Sequence, residues 1–456
     1  MPYRNAVTSR IALATTSVTS ANLGATVFTT THQYFTERLR PYTTMEEVRN
    51  DPEIPSTSVA YQGLLRFFSQ PNAAVPVYLG RRTADSLTLT PTPIVNNSKY
   101  GLTMTVHEDS SNTSVTTVVS VVSSAVATDA EIATALAEEI NTTLPVANVS
   151  ASDNTGSLSI VADAGYTLTF SSVDKLEDTY TTSETAAELL AGIQEEDNEN
   201  WYFFSCDDTS ETFVLAMATE IEASENSDYP KEYHFSTSDA NSLVALPDPA
   251  IDLLGKVKEG NYSRTAGYWY HEPTYFQELV SLGQMGGIAP GTSTWKFRQD
   301  VPARDPVTGK KLSTAKQGYL RDRNASWYGE ERGVAFSHGG TMANGEWIDV
   351  IRSKDFLNNE IEVALLNLLL NQPNGKIAFT PQGKAQVAHT VDGVLKAAVD
   401  SGILSGYIPT TIPSSTPFVD QAARILDEVK WVGYLAGAVH FIIVDGVLTY
   451  QDAELT

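Results

Sequence analysis

Apolar residues along this chain recur at two spacings, every second position and every third or fourth, and the alternation between them marks out the elements. Near the start, Ile11 and Leu13 alternate with small residues in RIALATTSV, which predicts an extended arm or strand. TERLRPYTTMEEVRND predicts a turn into a short helix, VAYQGLLRFFSQP a helix stopped at Pro71, and VPVYLGRR a strand. A strand, helix, strand order of this kind points to an α/β layer.

From about Gly80 to Thr185 the residues change to Thr, Ser, Val and Ala with almost no Lys or Arg. GLTMTV alternates through Leu102, Met104 and Val106, and TTVVSVVS supplies a second strand. A helix follows, with Thr128 and Glu131 at capping-box spacing and Ile132, Leu136 and Ile140 on one face. SLSIVA and YTLTF add two strands, so the segment reads as a ββαββ module inserted into the α/β pattern. That pattern resumes with NWYFFSCD as a strand, a helix through Phe213, Met217 and Ile221, and then KEYHFSTSD. The acidic run QEEDNEN ahead of it reads as a solvated loop; it lacks the spacing and the Gly of a Ca²⁺ loop. Residues 283 to 345, with GQMGGIAPGTS and AFSHGGTMANGEW, predict irregular loops around strands.

The last section has the clearest periodicity. WIDVIR reads as a strand, followed by a helix with Leu357, Ile361, Ala364, Leu365 and Leu368 on one face that ends near Pro373. A second helix carries Val387, Val391, Val394, Leu395 and Ala398 and ends near Gly402. VHFIIV, turned by Asp445-Gly446 into VLTY, reads as a β-hairpin. Such a ribbon needs a partner, because two strands alone are marginal and an apolar edge invites pairing with another molecule.

At 456 residues the chain exceeds one ordinary core. The fold class expected is therefore α+β and multidomain, with an inserted β-rich, ββαββ-like domain and a C-terminal α+β domain. Its parts are an arm over 1–20, an α/β domain over 21–80 and 186–339 interrupted by the insertion at 81–185, and the C-terminal domain over 340–456. Only 30 Lys and Arg face 55 Asp and Glu, a net charge of −25, which argues against direct nucleic-acid binding. The single Cys206 excludes an intramolecular disulfide framework. MPYRNAVTSR has no apolar signal core and LLNLLL is too short to span a membrane, so the expectation is synthesis in the cytosol without stable membrane insertion. The sequons at Asn96 and Asn261 then read as chance matches.

Catalytic motifs are missing from the sequence. The seven His are scattered; His271-Glu272 is a lone pair without HExxH. No GxGxxG follows a strand, Gly375-Lys376 lacks the rest of a Walker A, and GILSG at Gly402–Gly406 misses the nucleophile-elbow spacing. Cys206 in FFSCDD reads as a strand-end residue. No catalytic residue, cofactor or metal is assigned. A pair of carboxylates acting as a glycosidase stays open as a distant alternative, since acidic excess supplies many candidates.

The C-terminal motifs GEWIDVIRSKDFLNNEIEVALLNLL, KIAFTPQG and LAGAVHFIIVDGV resemble, in order and spacing, the C-terminal domain of contractile-tail sheath proteins of bacteriophages. VYLGRR, the insertion with its DAEIATALAEEIN helix, and NWYFF are similar to that family's layout as well. Phe356 stands where the family usually carries Trp, and Ala378-Phe379-Thr380-Pro381 where it carries Pro-Tyr-Thr-Asp. The resemblance implies a structural subunit of a virion tail, not an enzyme, assembled in the host cytoplasm. It implies stacked hexameric rings around a tail tube, with baseplate and tail terminator proteins as further partners. Contraction would drive the tube through the host envelope for genome delivery. It also implies that terminal arms complete a sheet in neighbouring subunits, which makes Ile11, Leu13, Val439, Phe441, Ile443, Val447 and Leu448 the expected intersubunit residues. The competing expectation for them is an ordinary sheet core within one chain. Another self-assembling component, such as a tube, baseplate or bacterial injection-system sheath protein, remains the alternative class.

Overall fold

The computed structural model describes residues 22–111, 113–143, 147–372 and 376–442. They fall into two compact units, one of residues 22–289 and 293–351, the other of residues 290–292 and 352 onward. The larger unit opens with β1 (Thr26–Thr31), β2 (Leu39–Tyr42), α1 (Met45–Asn50), α2 (Val59–Phe68) and β3 (Val77–Arg82). The chain then leaves the sheet for an excursion through β4 (Ser86–Pro91), β5 (Lys99–Glu108), β6 (Ser114–Val122), α3 (Asp129–Glu138), β7 (Val149–Asn154), β8 (Ser157–Ala162), β9 (Tyr166–Asp174) and β10 (Leu176–Thr181). It returns through α4 (Ala186–Glu196), β11 (Phe203–Cys206), α5 (Glu211–Glu222), β12 (Glu232–Thr237), α6 (Leu253–Glu259), β13 (Thr265–Trp269) and α7 (Gln277–Met285). After α8 (Thr314–Arg321) comes the hairpin β14 (Trp327–Glu331) and β15 (Val334–His338).

The main sheet has the order β13-β12-β11-β1-β3-β2, parallel throughout except for β2. β1 lies inside it, with Val27 opposite both Tyr78 and Phe204. Its sequence TVFTTT is apolar or β-branched at every position, and Thr26 to Thr29 are wholly buried, as a strand covered on both faces requires. α2 presses closely on β1: a Cβ at Gly63 would sit 2.2 Å from the Phe28 ring, so only glycine fits there.

The insertion forms two further sheets, β10-β4-β8-β7 and β6-β5-β9, around Leu102, Met104, Ile132, Leu136, Ile140, Leu158 and Phe170. All four strands expected there form. The ββαββ description nevertheless needs correction, because β4, β7 and β10 join them and split the module into two layers. β7 and β10, VSASDN and LEDTYT, are polar and hide their alternation, whereas SLTLTP of β4 alternates openly. The Thr128 cap accepts from Glu131 N at 3.1 Å, while the Glu131 carboxylate turns instead to Ser124. The module is tied to the main unit by Tyr34 Oη donating to Asp178 (2.7 Å) and by Phe170 N donating to Gln33 O (2.9 Å).

Two other expectations are corrected. WIDVIR is not a strand: Ile348 opens a long helix, α9 (Ile348–Leu370). Its β-branched residues mimic a strand, but Ile348 and Ile351 are buried at i, i+3 spacing, which is helical. The acidic run 194–200 begins inside the last turn of α4, so it is only partly a loop. The stretch 283–345 contains α8 and the β14–β15 hairpin, turned by Arg332 and Gly333 at φ 50° and 83°.

Behind the sheet lies a polar network within the core. Glu232 and His234 are both fully buried; Tyr202 Oη donates to Glu232 at 2.8 Å, and His234 lies 3.3 Å from Glu232 and 3.1 Å from Tyr268 Oη. Glu278, on the wholly buried α7, takes a hydrogen bond from Ser205 Oγ at 3.3 Å, and burial pushes its carboxyl up to about 7. An acid raised in the folded state destabilises the fold once the unfolded group ionises, so stability falls as pH climbs from about 4.5 to about 7. Glu278→Gln should therefore raise unfolding free energy at pH 8 by up to ~3 kcal/mol and change little at pH 4. Urea unfolding at the two pH values reads the difference, and equal effects at both would show that ionisation is not the cause.

Candidate functional site

The C-terminal unit contains most of α9, α10 (Pro381–Asp400), β16 (Leu404–Thr411), α11 (Phe418–Ala423) and β17 (Lys430–Leu435). Thr380 caps α10 by accepting from Gly383 N at 3.2 Å, with Pro381 in the first turn. The helix ends at Gly402, whose φ of 81° lets the chain reverse while Ile403 N donates to Ala398 O. That reversal lays β16 along α10. β17 pairs with it antiparallel, setting Leu404 opposite Leu435 and Ile408 opposite Val432.

The core beneath this ribbon is small. Leu357, Val391, Leu395, Ala398, Ile403 and Leu404 are fully buried, with Phe356, Ile361, Leu365, Tyr407 and Trp431 half-buried around them. Of the stripe expected on α9, Leu357 alone is fully covered. Of the 28 large apolar side chains exposed among the described residues, 13 belong to this unit. They include Leu366, Leu369 and Leu370 on α9, Ile408, Val432, Tyr434 and Leu435 on the ribbon, and Phe418 and Val419 on α11. Exposed apolar patches of this kind commonly mark contact surfaces.

The ribbon's two outer edges differ. β16 carries Pro409, which has no N–H, and the next amide, Thr410, donates to Asp392 of α10 at 2.7 Å. Two register irregularities, between Leu404 and Gly406 and between Ile408 and Thr411, bend it further. These features blunt an edge against strand addition. β17, KWVGYL, has no proline, and among the described residues no strand pairs with its second edge.

Of the seven expected intersubunit residues, Ile11, Leu13, Ile443, Val447 and Leu448 lie outside the described residues. Most of the terminal hairpin lies there too. Val439 and Phe441 are 74% and 71% exposed, on the segment that follows β17. Sequence reasoning missed the β16–β17 ribbon and α11. The signal was present in the alternation of GYIPTT and KWVGYL, but Pro409 and two glycines obscured it.

Elsewhere the candidate chemistry has structural explanations. Cys206 ends β11, and burial, with the Asp207 charge beside it, pushes its thiol well up, away from the reactive thiolate. His271 and Glu272 sit 3.7 Å apart, and His271 Nδ1 accepts from Arg304 N. Among the described residues no three His, Cys, Asp or Glu side chains gather as metal ligands, and no helix is long and apolar enough to cross a membrane.

The fold has counterparts among solved structures. A chain of the anti-feeding prophage baseplate superposes with a TM-score of 0.54 at 13% identity, covering 98% of this chain and 99% of that one. The helical sheath of the anti-feeding prophage, in its contracted state, matches at 0.52 and 12% with the same coverage. A sheath tail protein from Desulfitobacterium hafniense is similar at 0.49 and 9%, covering 90% and 93%. No curated protein matches the sequence. Over nearly its whole length the chain thus shares its fold with the helical sheath protein of the anti-feeding prophage. More particularly, residues 348–416, which hold α9, α10 and β16, match the family described as E217 tail sheath protein gp31-like, C-terminal domain.

Because Leu395 is wholly buried in a small cluster with five other fully buried side chains among the described residues, Leu395→Ala should remove about 2–5 kcal/mol and melt the C-terminal unit while the larger unit stays folded. Limited proteolysis would then cut beyond residue 352 first; uniform digestion of the whole chain would show that the units do not unfold separately.

Proposed function

We propose that this chain is the sheath subunit of a contractile tail, polymerising as stacked hexameric rings around an inner tube and contracting to drive that tube through a target envelope. The observation that carries the reading is the unfinished β16–β17 ribbon, set in a domain of sheath type and surrounded by exposed apolar side chains. A two-stranded sheet is marginal alone, and strands donated by neighbouring copies complete it. Each copy that receives a strand also donates one, so the contact is head-to-tail and the assembly grows as an open helix.

The terminal segments are the donors, with Ile11 and Leu13 in one and Val439, Phe441, Ile443, Val447 and Leu448 in the other. An arm burying on the order of 500 Å² of apolar surface gains roughly 12 kcal/mol at ~25 cal/mol/Å² before ordering and association are subtracted. That margin keeps neighbours linked while the remaining contacts exchange during contraction. The unblocked edge of β17 is where the first added strand docks. The work comes from interface free energy between two lattices, and the role is structural. The partners are copies of the chain, a tail tube protein, and baseplate and terminator proteins at the two ends.

Negative-stain electron microscopy of the concentrated protein, alone and with a co-expressed tube protein, should show wide, hollow, striated cylinders; monomers under both conditions would overturn the sheath reading. Deleting residues 1–18 should leave a folded monomer by circular dichroism yet abolish long cylinders. Normal cylinders from that truncation would remove the N-terminal arm from the mechanism.

A further inference from the structure

The loop joining β16 to β17 carries α11, and α11 is a knob. Phe418 is 88% exposed and Val419 77%, the most exposed large apolar side chains described in the C-terminal unit apart from Ile442, and Ile425 just after α11 is exposed as well. The loop leaves β16 beside the first turn of α10, where Lys384 Nζ donates to Pro413 O at 2.7 Å. Farther along α10 its outer face meets α9 in a groove of about 450 Å³, lined by Phe356, Glu360, Thr390, Gly393, Val394 and Ala397 among others. Small residues line the α10 side, and a Cβ at Gly393 would meet nothing within 4 Å, so the groove has room for an aromatic ring. The knob and the groove thus lie toward opposite ends of one helix, and Phe418, being exposed, does not fill its own groove.

We infer that in the polymer Phe418 and Val419 of one copy enter the α9–α10 groove of the next. This rests on the sheath reading above, which supplies the head-to-tail relation that a knob at one end and a groove at the other require. Chemistry agrees with the same occupant: Phe418 and Val419 are apolar, and Phe356, Val394 and Ala397 give the groove an apolar lining. The size agrees too. An aromatic side chain buries ~150–250 Å², and even with Val419 and Ile425 the contact stays well under the ~1,200 Å² of a stable free-standing interface. The knob therefore fixes the registration of copies already linked by larger contacts and leaves free subunits monomeric.

The test uses the full chain, whose single native cysteine is buried. Val419→Cys combined with Thr390→Cys, treated with a short bismaleimide after polymerisation alone or on a tube protein, should give a ladder of trimers and longer species on denaturing gels. Neither single variant can extend beyond a dimer. Adding Phe418→Asp, at a position too exposed to affect folding, should reduce the ladder at least tenfold, and Gly393→Trp should do the same by filling the groove. Polymers that form but give no ladder, or a ladder indifferent to both substitutions, would overturn the knob while leaving the sheath reading intact. A chain that forms no polymer with or without the tube overturns both.

Discussion

An antiparallel ribbon of two strands cannot satisfy its own edges, and everything distinctive about the C-terminal unit follows from that constraint. α10 and β16 are held together by few buried side chains, so the unit folds with little apolar surface to spare inside and much of it outside. In an enzyme such exposure would be a liability. In a polymer subunit it is the stored free energy of assembly, released only when copies meet. In the sheath proposed above, the net charge of −25 would work in the opposite direction, holding free subunits apart by repulsion.

The larger unit solves a different problem. β1, inside its sheet, is apolar or β-branched throughout, and an ion pair sits deep in its core: Arg323 Nε lies 2.9–3.0 Å from the two oxygens of Asp252, with both side chains fully buried. Separating that pair would leave a charge stranded in the core. In the sheath proposed above, a unit packed this closely would move as a block and transmit work between lattice contacts.

Much of this was legible in the sequence where periodicity is strong. The helices through Phe213, Met217 and Ile221 and through Val391, Leu395 and Ala398 form with the expected faces buried, as do the strands containing Leu102 and Met104. What failed did so for local reasons. Trp347-Ile348-Asp349-Val350-Ile351 has strand-like composition, yet Ile348 and Ile351 bury at helical spacing. β7 and β10 are polar strands recruited by neighbours already in place, a tertiary effect that no window of sequence contains. The sequence drew attention to the chain's last residues, of which Val439 and Phe441 are exposed, but not to Ile408, Val432, Tyr434 and Phe418, which the described structure exposes as well. An exposed face alternates like a buried one, and only the partner strand distinguishes them.

The insertion leaves β3 and re-enters before α4 through adjacent, mutually bonded strands: Asp85 N donates to Thr181 O at 2.8 Å, and Thr182 Oγ1 to Thr83 O at 2.6 Å. Its two ends are therefore only about one strand spacing apart, ~5 Å. A gap that narrow can be closed by a tight turn, so the seven strands and α3 form a cassette that could be lost, enlarged or exchanged without shifting the sheet beneath it. Variation among proteins of this fold would then concentrate in this module, leaving the sheet that carries it unaltered.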